Sequence, residues 1–265
     1  MAEITQDLLR KRAEHNEGML STLEEVSLHQ QNIGEIKNLD VYCRHLKILY
    51  LQNNLIEEMK GLSKLKELEY LNLAVNSIVK IEGIKRCESL NKLDMTLNFV
   101  DLEDLKESCE EMEWCENLQE VYFTGNPCTD WPNYREYVLA KVPQIMRLDG
   151  NDVTRSERLI AKTKLAELET ELEQIAENNV AKKEYDKKEG IKPSGYTREE
   201  RWQSYVEDQE KKKQDEEESK KNSMFKDYND LMEETKVRHC PSKTNFLSVE
   251  RPPRGVHKGR AHQAV

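Results

Sequence analysis

The feature that most constrains the fold is a run of five similar segments, which begin at residues 23, 46, 68, 90 and 118. Each segment carries apolar residues at its first, fourth and sixth positions and an amide-bearing residue at its ninth, as in "LKILYLQNN" and "LEYLNLAVN". The period is close to 22 residues, with one longer interval before the fifth segment. A fixed period of this length predicts a solenoid, because one such unit cannot bury its own apolar face.

The apolar core of each segment alternates with a period of two, which predicts a short strand with every second side chain inward. Stacking the segments then predicts a parallel sheet. The amide at the ninth position turns the chain out of the strand and can bond the backbone of a neighbouring coil. The residues of this structural ladder are Gln31, Asn54, Asn76, Asn98 and Asn126. The pattern resembles that of leucine-rich repeats.

The apolar spacing also predicts the structure of the return, which is the segment that leads from one strand to the next, and of the two ends of the solenoid. An apolar residue at every third position, as in Ile78, Ile81 and Ile84, favours a 3₁₀-like or short helical return. The six extra residues of "DLEDLKESCEEMEWCEN" lengthen one return into a proper helix. An open solenoid end exposes its core, so caps are required. "AEITQDLLRKRAEHN" predicts an amphipathic helix with Thr5 as N-cap, and "NYREYVLAKVPQIMRLDG" predicts a helix followed by a strand-like segment.

The predicted fold class is an α/β solenoid, a leucine-rich-repeat horseshoe with helical caps and a charged helical or disordered tail. The predicted domains are an N-terminal capping helix at 1–22, five repeats at 23–126, a C-terminal cap at 127–150, a charged helical or short coiled-coil extension at 151–235, and a basic disordered tail at 236–265.

The extension contains a short apolar seam at coiled-coil spacing, formed by Leu165, Leu168, Leu172 and Ile175. It lasts barely two heptads, whereas sustained coiled coils show three or four. We therefore expect a helix that leaves the cap, and a chain that is monomeric or weakly self-associating. Further along, aromatic residues in a polar segment indicate docking, either on this chain or on a partner. These residues are Tyr196, Trp202 and Tyr205.

Composition limits the function. The net charge of −10 argues against a nucleic-acid-binding surface, and no apolar run approaches the roughly 20 residues that span a bilayer. The first residues lack the apolar core of a secretory signal, which predicts a cytoplasmic protein with reduced cysteines. Cys43 and Cys87 replace apolar residues of other repeats and are expected to be buried. No phosphate loop or metal-ligand spacing is present, so we expect no enzyme activity, cofactor or metal.

The remaining candidate site is the concave face of the predicted sheet, where side chains alternate with the inward leucines. Three tyrosines among small polar groups make a plausible protein-binding surface, because tyrosine buries a large area and keeps a polar tip. The alternative is a solvated sheet without a partner. The predicted contact residues are Ser27, His29, Tyr50, Gln52, Tyr70, Asn72, Lys92, Asp94, Glu120 and Tyr122.

Longer stretches carry a family resemblance. The cap "GNPC…YREYV…VPQIMRLDG" is similar to that of the intracellular leucine-rich-repeat subfamily. The segments "ITQDLLRKRAEHNEGMLSTLEEVSLHQQNI", "CRHLKILYLQNNLI" and "LEYLNLAVNSIVKIEGI" resemble the tilB family of assembly factors for axonemal dynein. "PSGYTREERWQSY" looks like a family segment downstream of the repeats.

The tilB resemblance implies a non-enzymatic scaffold for cytoplasmic preassembly of dynein arms, and hence a role in the motility of cilia or flagella. The implied partners are dynein chains, other assembly factors and chaperones, without nucleic acid or membrane. Family members usually continue into a domain resembling the p23/CS co-chaperone fold, whereas this sequence ends in a basic tail. The alternatives are a spliceosomal component like the A-prime protein of the U2 particle, and a phosphatase regulator.

Overall fold

The computed structural model describes residues 2–191, 197–203, 206–207, 210–211, 214–215 and 218–221. The predicted basic tail, Tyr196, Tyr205 and Cys240 lie outside these residues. The chain divides into two compact units, Met1–Tyr205 and Val206–Val265. In the second unit, the described residues are helical. The first unit contains the strands and helices of the repeats and of their caps.

Seven short strands form one sheet whose spatial order is the chain order. The first six are parallel and the last pair is antiparallel. They are β1 (Glu25–Ser27), β2 (Ile48–Tyr50), β3 (Tyr70–Asn72), β4 (Lys92–Asp94), β5 (Glu120–Tyr122), β6 (Arg147–Leu148) and β7 (Asn151–Asp152). One strand for each repeat, in register with the next, confirms the predicted α/β solenoid.

The core lies behind the sheet and continues from coil to coil. The middle residue of each repeat strand is fully buried, and equivalent residues pair across the sheet. These residues are Val26, Leu49, Leu71, Leu93 and Val121. Because each inward side chain is covered by those of neighbouring coils, the repeats share one hydrophobic cluster from Ile4 to Leu172.

A ladder of four asparagine side chains joins the coils. Asn76 is fully buried; its Nδ2 donates to the carbonyls of Leu51 and Leu73, at 3.0 and 2.9 Å, and its Oδ1 accepts from Ile56 N at 3.1 Å. Asn54, Asn98 and Asn126 repeat this pattern of bonds. Gln31, at the equivalent position of the first repeat, differs, since its Nε2 donates only to His29 O of its own coil, at 3.0 Å.

In every repeat, the residue just before the ladder position has backbone angles in the left-handed region. The residues are Gln30, Asn53, Val75, Leu97 and Gly125, with φ between 54° and 78°. Glycine and asparagine adopt this conformation readily. Val75 is branched at Cβ, so its side chain meets the following carbonyl at close range, and a φ of 57° is strained for it.

We expect Val75→Asn to stabilise the repeat domain by about 1 kcal/mol, because asparagine relieves this left-handed strain. The measurement is the midpoint of urea unfolding. Asn53→Val, which introduces the same strain one repeat earlier, should destabilise by a similar amount. A stabilising Asn53→Val would contradict the explanation.

The helices of the first unit lie in the returns and in the caps. They are α1 (Gln6–Arg12), α2 (Leu39–Tyr42), α3 (Leu102–Glu113), α4 (Tyr134–Lys141) and α5 (Arg155–Glu189), with 3₁₀ turns at Glu14–Asn16, Leu20–Thr22 and Pro127–Asp130. Thr5 is the N-cap of α1, and its hydroxyl accepts from Leu8 N at 3.2 Å. Helix α3 occupies the long return, as its extra residues predicted.

In the second and third repeats the short helical alternative is wrong, because the return consists of separate turns. These turns have the i→i+3 hydrogen bonds of the 3₁₀-like alternative, such as Leu65 N to Leu62 O at 2.9 Å and Cys87 N to Ile84 O at 2.8 Å. Their apolar side chains, such as Met59 and Ile81, are fully buried all the same. The backbones of adjacent coils approach closely here, since a Cβ on Gly61 would stand 2.4 Å from Ile36 O. The second and third repeats, at 22 residues each, therefore close their returns with turns, whereas the first repeat, at 23, holds the four-residue helix Leu39–Tyr42.

Helix α5 packs against α3 and α4 instead of projecting from the cap. Leu168 and Leu172 of the apolar seam are buried in the same core as the repeats. Lys183 Nζ bonds Asp101 and Glu103 of the α3 N-terminal end, at 2.8 and 2.7 Å. The domain boundaries inferred from the sequence stay a prediction. Among the described residues, no helix has the length and apolar content to cross a membrane.

Candidate protein-binding surface on the concave face

The outward side chains of the strands form two rows across the sheet. The first row is Glu25, Ile48, Tyr70, Lys92, Glu120 and Arg147. The second row is Ser27, Tyr50, Asn72, Asp94 and Tyr122. His29 and Gln52 follow the ends of their strands. All ten residues named from the sequence therefore lie on this face, and each is partly exposed.

Sequence reasoning missed Glu25, Ile48 and Arg147, which complete the first row. The signal for Glu25 and Ile48 was present, because each precedes an inward residue by one position. Ile48 is apolar and stands between inward leucines in "LKILYL", so composition did not mark it as outward. Arg147 comes from the cap, where no repeat pattern fixes the register.

Aromatic rings and a lysine occupy the centre of the face. The rings of Tyr50 and Tyr70 meet edge to face, with centroids 5.6 Å apart and an interplanar angle of 85°. Lys92 Nζ lies between two tyrosine rings, 5.2 Å from the centroid of Tyr70 and 5.1 Å from that of Tyr122. These distances allow cation–π attraction, which holds the lysine over the rings. These contacts hold the side chains at the centre of the face in place.

Glu120 is the hub of a charged network beside this centre. Its carboxylate accepts from Lys92 Nζ at 3.1 Å, Arg147 at 3.0 Å and Tyr122 Oη at 2.9 Å. Burial raises the pKa of Glu120, but the hydrogen bonds from these three partners outweigh it and hold the pKa below its ordinary value. Burial and the bond to Glu120 raise the pKa of the Tyr122 phenol. The two pKa shifts therefore favour an ionised Glu120 and a protonated Tyr122.

The rest of the face is fixed by short-range hydrogen bonds. Ser27 Oγ and His29 Nδ1 are 2.7 Å apart. Asn72 Nδ2 donates to Tyr70 Oη at 3.0 Å, and its Oδ1 accepts from the backbone of Ala74. Asp94 accepts from Thr96 N in the same way. These bonds limit side-chain freedom, which lowers the entropy that binding would cost.

The cysteines within the described part of the chain are buried thiols. Burial raises the pKa of Cys43 to about 11 and those of Cys87, Cys109 and Cys115 to about 12. Such thiols stay protonated at neutral pH and are poor nucleophiles. Within the same residues, no three His, Cys, Asp or Glu side chains are grouped so as to hold a metal ion.

Comparisons with known proteins agree with this architecture. A leucine-rich-repeat family model matches residues 1–181. Dynein axonemal assembly factor 11 of Danio rerio is 54% identical over 170 residues, which are 64% of this chain and 38% of that protein. Protein tilB of Drosophila melanogaster is 54% identical over 167 residues, 63% of this chain and 41% of that protein. The chain thus spans about two fifths of the length of these relatives.

Among solved structures, the complex of SNF and U2A′ from Drosophila melanogaster superposes with a TM-score of 0.55. The match covers 64% of this chain and 99% of the matched one, at 24% sequence identity. This likeness shows the fold.

Proposed function

The chain belongs to the leucine-rich-repeat family, within the tilB group, and from this premise we propose that it is a scaffold for the assembly of axonemal dynein arms. Relatives about half identical to it are named dynein axonemal assembly factors. The family is not an enzymatic one, and we assign no catalytic site. The work of such a scaffold is to hold dynein chains and other assembly factors or chaperones in the cytoplasm, before delivery to the cilium or flagellum.

The observation that carries this proposal is the preordered centre of the concave face. Tyr50, Tyr70 and Tyr122 offer large rings with polar tips, and Lys92 lies among them. Tyrosine is enriched among residues that dominate protein interfaces, since it buries much area at small entropic cost. A surface that combines aromatic rings with both positive and negative side chains suits a protein segment that is both apolar and charged.

The proposal predicts a rescue phenotype in a ciliated or flagellated cell that lacks this gene. We expect loss of outer and inner dynein arms, restored by the wild-type chain. Tyr50→Ala combined with Tyr122→Ala should restore few arms and should lower recovery of dynein chains and assembly factors in pull-downs at least about tenfold, since each truncation at an interface centre costs about 1–2 kcal/mol. Arms are counted by electron microscopy of axonemes, and partners by quantitative blotting.

The matched control is Tyr185→Ala, because Tyr185 is an exposed tyrosine of α5, away from the sheet. It should rescue as the wild type does. Normal arms in the cell without the gene would reject the dynein role. Normal pull-downs by the double variant would reject the concave face as the contact surface. Recovery of spliceosomal or phosphatase subunits in place of dynein chains would favour the alternatives drawn from the sequence.

A further inference from the structure

A short helical segment, residues 197–203, contacts the loops that follow strands β2 to β4. Its start is fixed by a reciprocal capping box, in which Thr197 Oγ1 accepts from Glu200 N and Glu200 accepts from Thr197 N, both at 3.1 Å. Arg198 and Arg201 are three residues apart in a helix and so lie on one face. This face meets the repeats.

Arg201 binds a composite site on the edge of the solenoid. Its guanidinium donates to the carbonyl oxygens of Asn76 and Leu97, the latter at 3.0 Å. The same group lies over the ring of Phe99, 4.5 Å from its centroid. Both bonds come from one nitrogen, Nη1, so the two carbonyls and the ring together hold a planar group that donates at one end and lies with its centre over the ring. A lysine ammonium has no planar group to place over the ring.

Arg198 makes the second contact, an ion pair between its guanidinium and Glu57 at 2.7 Å. Glu57 is largely exposed, so this pair contributes little to stability. Arg201 therefore supplies most of the recognition, and Arg198 sets the direction of the helix. We call Glu57, the carbonyls of Asn76 and Leu97, and the ring of Phe99 the rim site.

We propose that residues 197–203 are a releasable latch, which closes in the same molecule on a guanidinium-recognising rim site of repeats two to four. Arg198 contributes an exposed ion pair to this contact, and the segment is a single short helix, which places it at the weakly held end of local stability. It covers backbone carbonyls at the edge of the solenoid and leaves the concave rows open. This contact does not depend on the proposed scaffold role.

Hydrogen–deuterium exchange of the full chain, followed by mass spectrometry, tests the latch. Amides 199–203 should exchange more slowly than those of an undocked helix of this length. Arg201→Lys keeps the charge but loses the planar group that lies over Phe99, and we expect it to raise their exchange rate roughly tenfold, the factor that follows from losing about 1.4 kcal/mol of cation–π attraction. Phe99→Ala should also raise the exchange rate of these amides.

Arg198→Lys is the matched control, because lysine can still pair with Glu57. It should change the exchange rate less than about twofold. Amides of β3 and β4 report whether a variant loosens the solenoid, and they should keep wild-type protection in Arg201→Lys. Equal exchange in the wild type and Arg201→Lys would overturn the proposal. Protection that rises with protein concentration would also overturn it, since the segment would then dock on a second copy.

Discussion

Replacing Leu73 with aspartate is expected to unfold the repeat domain at 25 °C. Leu73 is fully buried at the centre of the third coil, in the position that Leu51 and Met95 occupy in the adjacent coils. The substitution removes the leucine from the core and leaves a carboxylate without a partner there. The lost packing costs about 2–5 kcal/mol and the uncompensated buried carboxylate about 3–5 kcal/mol, which together match the roughly 5–15 kcal/mol that holds a domain folded. Far-ultraviolet circular dichroism and a thermal scan would measure the loss.

The matched control is Leu97→Asp, the same substitution at an exposed position of the next repeat. Leu97 is 47% exposed, and its φ of 55° lies in the region that aspartate tolerates better than leucine. We expect this variant to melt within a few degrees of the wild type. If Leu73→Asp also melted there, the continuous core of the solenoid would be contradicted.

The strands and the ladder could be predicted because their determinants are local. An inward leucine such as Leu49 and a ladder residue such as Asn54 recur at fixed spacing. Each repeat therefore packs against repeats with the same pattern. The first coil breaks this logic. Gln31 occupies the ladder position, but the described residues before its repeat form the helical cap and not another repeat, so its side chain bonds within its own coil.

The concave face was predictable only in part, for two physical reasons. Alternation assigns Tyr50 and Tyr122 to the outside, but it does not show which side chains meet across strands. The contact of Lys92 with Glu120, and of Glu120 with Arg147, depends on a register that crosses the longest repeat and the cap. These contacts decide which residues are ordered and which group stays charged.

The segments after the cap show why an apolar seam does not identify its own partner. Leu168 and Leu172 have the spacing of a coiled coil, and they pack against the helices of the same chain. Spacing specifies that one helix face must be buried, whereas the covering surface depends on where the helix starts. The capping box of Thr154 and Glu157 sets that start next to the cap, and α5 then runs along α4 and α3.

Replacing Asn76 with alanine is expected to remove about 3–5 kcal/mol from the free energy of unfolding. The substitution leaves Leu51 O, Leu73 O and Ile56 N without their side-chain partner in a buried place. A buried polar group that loses its hydrogen bond costs about 1–3 kcal/mol, and water cannot replace a fully buried amide without opening the coils. The measurement is equilibrium unfolding in urea. The midpoints are compared between variants whose free energy of unfolding depends equally steeply on the urea concentration.

Gln31→Ala is the comparison that separates a ladder from a mere sequence motif. By sequence the two positions are equivalent, but Gln31 is partly exposed and its amide bonds only His29 O. Its removal should cost less than about 1 kcal/mol, the net worth of one partly solvated hydrogen bond. Equal losses in the two variants would mean that the amide acts within its own turn. A loss several times larger for Asn76→Ala would mean that it joins one coil to the next, which is how a stack of units that are unstable alone becomes a single domain.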